Sequence, residues 1–139
     1  MTPLDDICVL DFSTLLPGPF ASLMLAEAGA RVIKIERPGR GDEMRSYEPK
    51  LGADSTNFHL LNAGKQSIAI DLKAPDAFER LRPLVERADV VVEQFRPGVM
   101  ERLGFGFERL RTVNPRLIYC AITGWGQSGP KSDLSLIHI

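Results

Sequence analysis

An α/β fold built on a parallel, Rossmann-like sheet with flanking helices is predicted, and three observations predict it. Short strand-like runs alternate with helical runs along the chain: "DICVLDF", "RVIKIER", "KQSIAIDL", "VVVEQF" and "RLIYCAITG" are each separated by helix-forming sequence. Strands joined through helices pair in parallel by crossover connections. Continuous apolar runs such as Val90–Val92 suit strands covered on both faces. The length, 139 residues, is that of one domain able to bury a real core.

The elements follow in order. Strand one, Asp6 to Phe12, ends in "STLLPGPF", a loop with two prolines and a glycine. Pro19 suits a first helical turn, where a missing N–H costs nothing, and "FASLMLAEAGA" reads as a buried helix stopped by Gly29. Arg31 to Arg37 is strand two, followed by the turn-rich "PGRGDE". After a polar excursion, "STNFHLLNAG" is a short helix closed by Gly64, and "KQSIAIDL" is the third strand. Phe78, Leu81, Leu84 and Val85 recur at helical spacing; Pro83 among them must kink that helix or turn its hydrogen-bond gap to solvent. "VVVEQF" is strand four, "VMERLGFGFERLRTVNP" is two helical pieces split by Gly104 and Gly106, and "RLIYCAITG" is strand five. Repeats, low-complexity segments and an internal linker are lacking.

Composition narrows the function. A net charge of −1 gives no electrostatic footprint for nucleic acid or an anionic membrane. No apolar run approaches the ~18 residues of a membrane span, and the N-terminus does not resemble a signal peptide, so a cytoplasmic protein is expected. Cys8 and Cys120 lie far apart in strand-like runs, as buried thiols rather than a disulfide or metal pair. No metal site is expected. His59 is expected on a short helix facing the core or its edge; Asp11 and Asp71 are expected as hydrogen-bond anchors rather than acids.

Ligands of open parallel sheets bind beyond the C-terminal strand ends. Five loops are expected there: Ser13–Phe20, Arg37–Arg45, Leu61–Lys65, Gln94–Arg102 and Thr123–Pro130. Cations gather in or beside them (Arg37, Arg40, Arg45, Lys65, Arg96, Arg102 and Lys131), which suits a phosphorylated ligand. A dinucleotide fingerprint is not met: "LLPGPFAS" has Gly18 alone where G-x-G-x-x-G is needed, although Glu36 stands where a ribose-binding acid would. Gly18, between prolines, reads either as a rigid loop bringing backbone N–H groups to a ligand or as a plain strand-to-helix turn.

Four long words, "VLDFSTLLPGPFASLMLAEAGARVIKIERPGRGD", "NAGKQSIAIDLK", "ADVVVEQFRPGVMERLGFGFERL" and "NPRLIYCAITGWGQSGP", span about Leu4 to Asp133. In order and spacing they resemble the family III CoA-transferases, the CaiB/BaiF group, which includes formyl-CoA transferase, carnitine CoA-transferase and α-methylacyl-CoA racemase. The resemblance implies that residues 1–133 are the N-terminal portion of the large, CoA-binding domain. It implies CoA contacts from Thr14, Leu15, Leu16 and Pro17 after strand one, and from Arg37 after strand two. It implies the same for Asn62 and Lys65 of the N-x-x-K turn, for Gln94 and Phe95 after strand four, and for Arg102. Ala63 and Gln94 depart from residues common in relatives, Arg or Cys and Asn respectively.

The resemblance further implies a cytoplasmic, interlocked homodimer that moves coenzyme A between an acyl-CoA and a carboxylic acid, without metal. In the family an aspartate shortly after the G-x-G-Q-x-G-P turn attacks the acyl-CoA thioester carbonyl and expels CoA thiolate. The thiolate re-attacks the resulting anhydride to give an aspartyl-CoA thioester, which the acceptor acid resolves. Asp133 comes too early for that aspartate and lacks a preceding glycine, and His138 fits neither the transferase nor the racemase motif. No catalytic residue is therefore expected in this chain. "LSLIHI", Leu134–Ile139, resembles the translation of a sequencing-library adapter and is expected to be non-native. The other readings are an α-methylacyl-CoA racemase, in which a His and an Asp exchange the α-proton; a non-catalytic CoA- or nucleotide-binding module; and, more distantly, an NADP-type oxidoreductase.

Overall fold

The computed structural model describes residues 1–135; His138 and most of the Leu134–Ile139 tail lie outside the described residues. Five parallel strands form one sheet in the order β5-β2-β1-β6-β7. They are β1 (Cys8–Asp11), β2 (Arg31–Glu36), β5 (Gln66–Ala69), β6 (Val90–Glu93) and β7 (Ile118–Ala121). All five predicted strands are present, with frayed ends trimmed. The unforeseen strands lie in the polar excursion, where β3 (Lys50–Leu51) and β4 (Asp54–Ser55) form a two-stranded hairpin after a 3₁₀ turn, Glu43–Ser46. Two-residue strands carry no period-2 pattern to read.

The period-2 alternation divides the core between two layers. In register, Val9 faces Val32 and Val90, and Leu10 faces Ile33 and Val91. Val9, Val32 and Val92 pack toward helix α1 (Pro17–Glu27). Leu10, Ile33, Ile35 and Val91 pack on the other side with Phe78, Leu81 and Val85 of α3 (Ala77–Val85), Met100 of α4 (Val99–Arg102) and Leu110 of α5 (Phe107–Val113). Phe105 sits fully buried between Phe12 and Phe78, with centroids 5.6 and 5.7 Å away.

The local signals act as expected. Pro83 is exposed within α3, so its missing N–H leaves the gap on the solvent side. Ser55 caps α2 (Thr56–Leu61), accepting the Phe58 amide at 2.9 Å, and Gly64 closes the following turn at φ +75°. Helix α1 starts three residues earlier than predicted, because Pro17 as well as Pro19 suits its first turn. His59 is exposed, not core-facing: its Nε2 lies 3.1 Å from Leu51 O of the hairpin.

Chain order places the ligand crevice. From β1 the chain builds outward through β2 to β5, then returns to the other side of β1 for β6 and β7. The reversal lies between β1 and β6, so their C-terminal loops flank the switch point.

Candidate functional site

At the C-terminal end of the sheet the α1-side face turns from apolar to charged. Asp11 continues the row begun by Val9, and its register partner is Lys34. Both are almost fully buried. Lys34 Nζ donates to Ser13 O at 2.8 Å and pairs with Asp42 Oδ2 at 2.8 Å. Asp11 accepts from the Ser13 amide at 2.9 Å, from the hydroxyls of Ser13 and Ser22, and from Lys65 Nζ at 3.3 Å. It is an anchor, as expected, and so is Asp71, which accepts the Lys73 amide at 2.9 Å. Buried charges survive only when paired and hydrogen-bonded. Here the partners come from the β1–α1 loop (Ser13), helix α1 (Ser22), the loop after β2 (Asp42) and the turn before β5 (Lys65), so the network joins all four to the sheet.

Asp42 connects this network to the next loop. Its Oδ1 accepts the amides of Leu15 at 3.1 Å and Met44 at 2.9 Å, while its own amide donates to Glu36 Oε2 at 2.7 Å. Among the described residues, Leu15 is the non-glycine residue with positive φ, +61°. That conformation costs on the order of 1 kcal/mol. The bond to Asp42 and packing on Met44, Phe58 and Leu61 hold it there.

Glu36 and Arg45 are spent on each other, although Glu36 also lines the first of two cavities at the switch point. Arg45 forks onto both Glu36 oxygens at 2.8 and 2.7 Å, reaches Asp54 at 2.7 Å and stacks over Phe58 at 3.7 Å. Ser67 Oγ completes the Glu36 shell at 2.5 Å. Glu36 is thus a structural acceptor, and the ribose-binding position it suggested is already occupied. Burial raises its pKa, but the bonds from Arg45, Ser67 and the Asp42 amide outweigh it and hold the carboxyl at about 2. A depressed carboxyl stabilises the fold above its ordinary pKa, 4.5, and that stability is lost as pH falls toward 2. Glu36→Gln is expected to remove about 3 kcal/mol at pH 7 and to flatten acid denaturation between pH 4.5 and 2, read by urea midpoints across pH.

Two adjoining cavities lie at the switch point. The first, of about 290 Å³, is lined by Thr14, Arg37, Phe95, Ile70, Leu72 and Lys73, among others. The second, of about 310 Å³, is lined by Leu15, Leu16, Pro17, Gln94 and Phe95, by Ile122–Gly124 on the β7 exit, and on one side by Leu134 and Ser135 of the tail expected to be non-native. Phe95 is common to both. Glu93, at the end of β6, accepts the Phe95 amide at 2.7 Å and so sets that ring; burial pushes the Glu93 carboxyl above its usual range. Arg37 is exposed, with Nε donating to Gly41 O at 3.1 Å, and Arg40 and Lys73 are exposed as well.

Seven sequence-derived candidates therefore gather here: Thr14, Leu15, Leu16, Pro17, Arg37, Gln94 and Phe95. Asn62, Lys65 and Arg102 line neither cavity. The Leu61–Lys65 turn enters β5 at its N-terminal end and is not a strand-exit loop, which corrects its assignment from sequence. Lys65 Nζ is engaged inside the fold by Pro19 O at 2.8 Å, Ser22 Oγ at 2.7 Å and Asn62 Oδ1 at 3.0 Å, besides Asp11. Burial lowers its pKa to about 8 against the opposing pull of Asp11. The strand-exit loop of β5 is instead Ile70–Lys73, which sequence reasoning passed over. Its signal was available: "IDLK" directly follows the alternating run "QSIA".

Gly18 also departs from the ligand-facing expectation. Its N–H is taken by Gln94 Oε1 at 3.0 Å. Among the described residues no group of three or more His, Cys, Asp or Glu could hold a metal ion, and no helix is long and apolar enough to cross a membrane.

Comparison with known proteins decides the family. The model of CoA-transferase family III matches residues 4–136. The chain belongs to that family. It is 48% identical over 128 residues to the acetyl-CoA:oxalate CoA-transferase of Acetobacter aceti, covering 92% of this chain and 33% of that enzyme. It is 42% identical over 132 residues to the human succinyl-CoA:glutarate CoA-transferase, covering 94% and 30%. Its structure superposes on a CaiB/BaiF family protein from Brucella suis with a TM-score of 0.90 at 39% identity, covering 96% of this chain and 36% of that one. A Mycobacterium tuberculosis hypothetical protein, Rv3272, matches with a TM-score of 0.89 at 42% identity, over 97% and 36%. The chain thus spans about a third of the length of the curated family III relatives it matches.

Proposed function

We propose that residues 1–133 form the coenzyme-A-binding part of a family III CoA-transferase that moves CoA from an acyl-CoA to a carboxylic acid in a homodimer. The observation that carries this reading is the pair of cavities meeting at Phe95. Coenzyme A is a phosphorylated nucleotide joined to a long uncharged arm ending in a thiol. The cavity holding Arg37 and Lys73 suits the phosphates through charge-assisted hydrogen bonds. The second is walled mainly by Leu15, Leu16, Pro17, Pro97 and Ile122, and suits the uncharged arm. Phe95 offers a face to either portion.

This chain's role is to bind and orient. Loop β1–α1 and the Gln94–Pro97 segment fix the arm, so that the thioester leaves the cleft beside the β7 exit. The nucleophilic carboxylate is assigned to the parent protein, beyond the Gly124–Pro130 turn. There, attack on the thioester carbonyl breaks the C–S bond and gives a mixed anhydride, and the expelled thiolate then attacks the anhydride's aspartyl carbonyl, breaking its C–O bond to release the donor's carboxylate and leave the aspartyl-CoA thioester. The A. aceti and human relatives, both named as CoA-transferases, favour this over the racemase reading.

Isothermal titration of the 139-residue chain with CoA, 3′-dephospho-CoA and pantetheine tests the reading. CoA is expected to bind best, dephospho-CoA roughly ten-fold more weakly, and pantetheine weakest, because each step removes charge-assisted bonds. The same chain is expected to transfer no CoA between carboxylic acids. Equal affinity for CoA and pantetheine would sink the phosphate assignment.

A further inference from the structure

Helix α1 begins without the ordinary fastenings of a helix start. Pro17 and Pro19 have no N–H, the Leu16 N-cap supplies no side-chain cap, and the first turn holds no acidic residue. Two side chains hold the turn instead. Gln94, in the lining of the second cavity, accepts the Gly18 amide at 3.0 Å. Lys65 lines neither cavity and reaches the turn from within the fold. Its Nζ donates to Pro19 O at 2.8 Å and to Ser22 Oγ at 2.7 Å, and the Ser22 hydroxyl in turn donates to Asp11 of β1. Asn62 Oδ1, at 3.0 Å, and Asp11 Oδ2, at 3.3 Å, complete the set. Four acceptors surround three N–H donors and the side chain is 1% exposed, so no donor is left for a ligand.

We infer that Lys65 is a positioning residue for the second cavity: by clamping Pro19 and Ser22 to β1, it sets the place of Leu16 and Pro17 in the cavity wall without touching the ligand. The inference takes its ligand from the proposed function, whereas the clamp is a property of the ligand-free chain. A buried ammonium is a poor source of stability, because desolvation offsets most of what the pairing returns. Its effect here is on geometry. The two proline rings fix φ on either side of Gly18. Gly18 packs so closely on Ser13 that a Cβ there would overlap the Ser13 side chain, which leaves it little room to absorb a shift. A displacement of Pro19 therefore carries through to Pro17 and Leu16, which line the cavity. Methionine at position 65 would fill the same space and leave Pro19 O and Ser22 without their tie. A misplaced wall weakens every ligand that carries the arm, with or without phosphates.

The test is calorimetric titration of the 139-residue chain, Lys65→Met and Ser22→Ala with CoA and with pantetheine, together with amide NMR spectra and urea midpoints. In Lys65→Met both ligands are expected to bind roughly five- to ten-fold more weakly and by the same factor, so that the ratio of the two affinities is unchanged. The Leu16 and Gly18 amide resonances are expected to shift, and those of Arg37 and Lys73 to stay in place. Ser22→Ala, which keeps every charge, is expected to show the same pattern at roughly two- to three-fold, and it decides the matter if Lys65→Met does not fold. A residue serving stability alone would lower the urea midpoint and leave both affinities and the Leu16 and Gly18 resonances unmoved, which would overturn the inference. So would a loss confined to CoA, the mark of a direct phosphate contact. A wild-type chain that binds neither ligand would reject the proposed function, and shifted Leu16 and Gly18 resonances in Lys65→Met would still uphold the clamp.

Discussion

Lys34→Met is expected to destabilise the chain by about 3–5 kcal/mol, the usual result of stripping one partner from a buried ion pair. The Lys34 side chain is 1% exposed and that of Asp42 is fully buried, so water cannot replace the lost ammonium. Asp42 would keep its amide donors, Leu15 and Met44, but its Oδ2 would face a thioether. The Ser13 carbonyl would lose its donor at the same time. A double-mutant cycle separates the charge from the packing. Lys34→Met with Asp42→Asn removes the uncompensated carboxylate while keeping an acceptor for Leu15 and Met44, and is expected to recover at least half of the loss. Urea midpoints measure both. A single variant within about 1 kcal/mol of wild type would show that the pair does not hold the loop.

Stability and function meet at this pair, because the same groups fix the loop beside the cleft. Asp42 sustains the positive φ of Leu15, Lys34 and Asp11 hold Ser13, and Gln94 holds Thr14 and Gly18. Ser13 is tied to β1 and β2, Leu15 to the loop after β2, and Thr14 and Gly18 to the residue after β6. Strain and buried polar networks concentrate where a backbone must be held for a ligand. A loop built this way is rigid before the ligand arrives, so little ordering entropy is lost on binding.

The sheet was legible in the sequence because its strands are short apolar runs between helices, and two-sided burial makes such runs continuous. The hairpin β3–β4 was not, since four residues in two pairs leave no periodicity. In the site, the loops after β1, β2 and β6 could be placed because each directly follows an unmistakable strand. The Leu61–Lys65 turn was misplaced because a basic residue beside a glycine looks the same before a strand as after it. What distinguishes the two is the direction of β5, and the Lys65 ammonium then goes inward to Asp11. Glu36 and Arg45 misled for a related reason. Charged residues next to a strand end read as ligand groups, yet here they satisfy each other and Asp54. Lys34, inside the apolar run "VIKIE", is a charge whose position points to a buried partner, as is Asp11 in "VLDF".

Removing the Arg37 guanidinium is expected to weaken CoA binding by roughly ten- to hundred-fold, the range of a charge-assisted hydrogen bond or two. Of the cations clustered after β2, Arg45 is engaged with Glu36 and Asp54, whereas Arg37 is exposed and lines the first cavity. Arg37→Lys is expected to recover only part of the affinity, because a point charge cannot fork across two phosphate oxygens or stack on a base. Lys73→Ala, in the lining of the same cavity, is expected to cost less, about five- to ten-fold, and the double variant to lose nearly all discrimination between CoA and pantetheine. Lys65→Met is the contrasting case: its ammonium is spent on Asp11, Ser22 and Pro19, so the loss should fall on the urea midpoint and not on selectivity for the phosphates. Titration calorimetry at two salt concentrations reads all five variants, and the salt dependence should shrink when either Arg37 or Lys73 is removed. If Arg37→Ala leaves CoA affinity within two-fold of wild type while Lys65→Met abolishes it in a folded chain, the phosphates lie against the turn that enters β5, and the ligand runs along the other side of the loop.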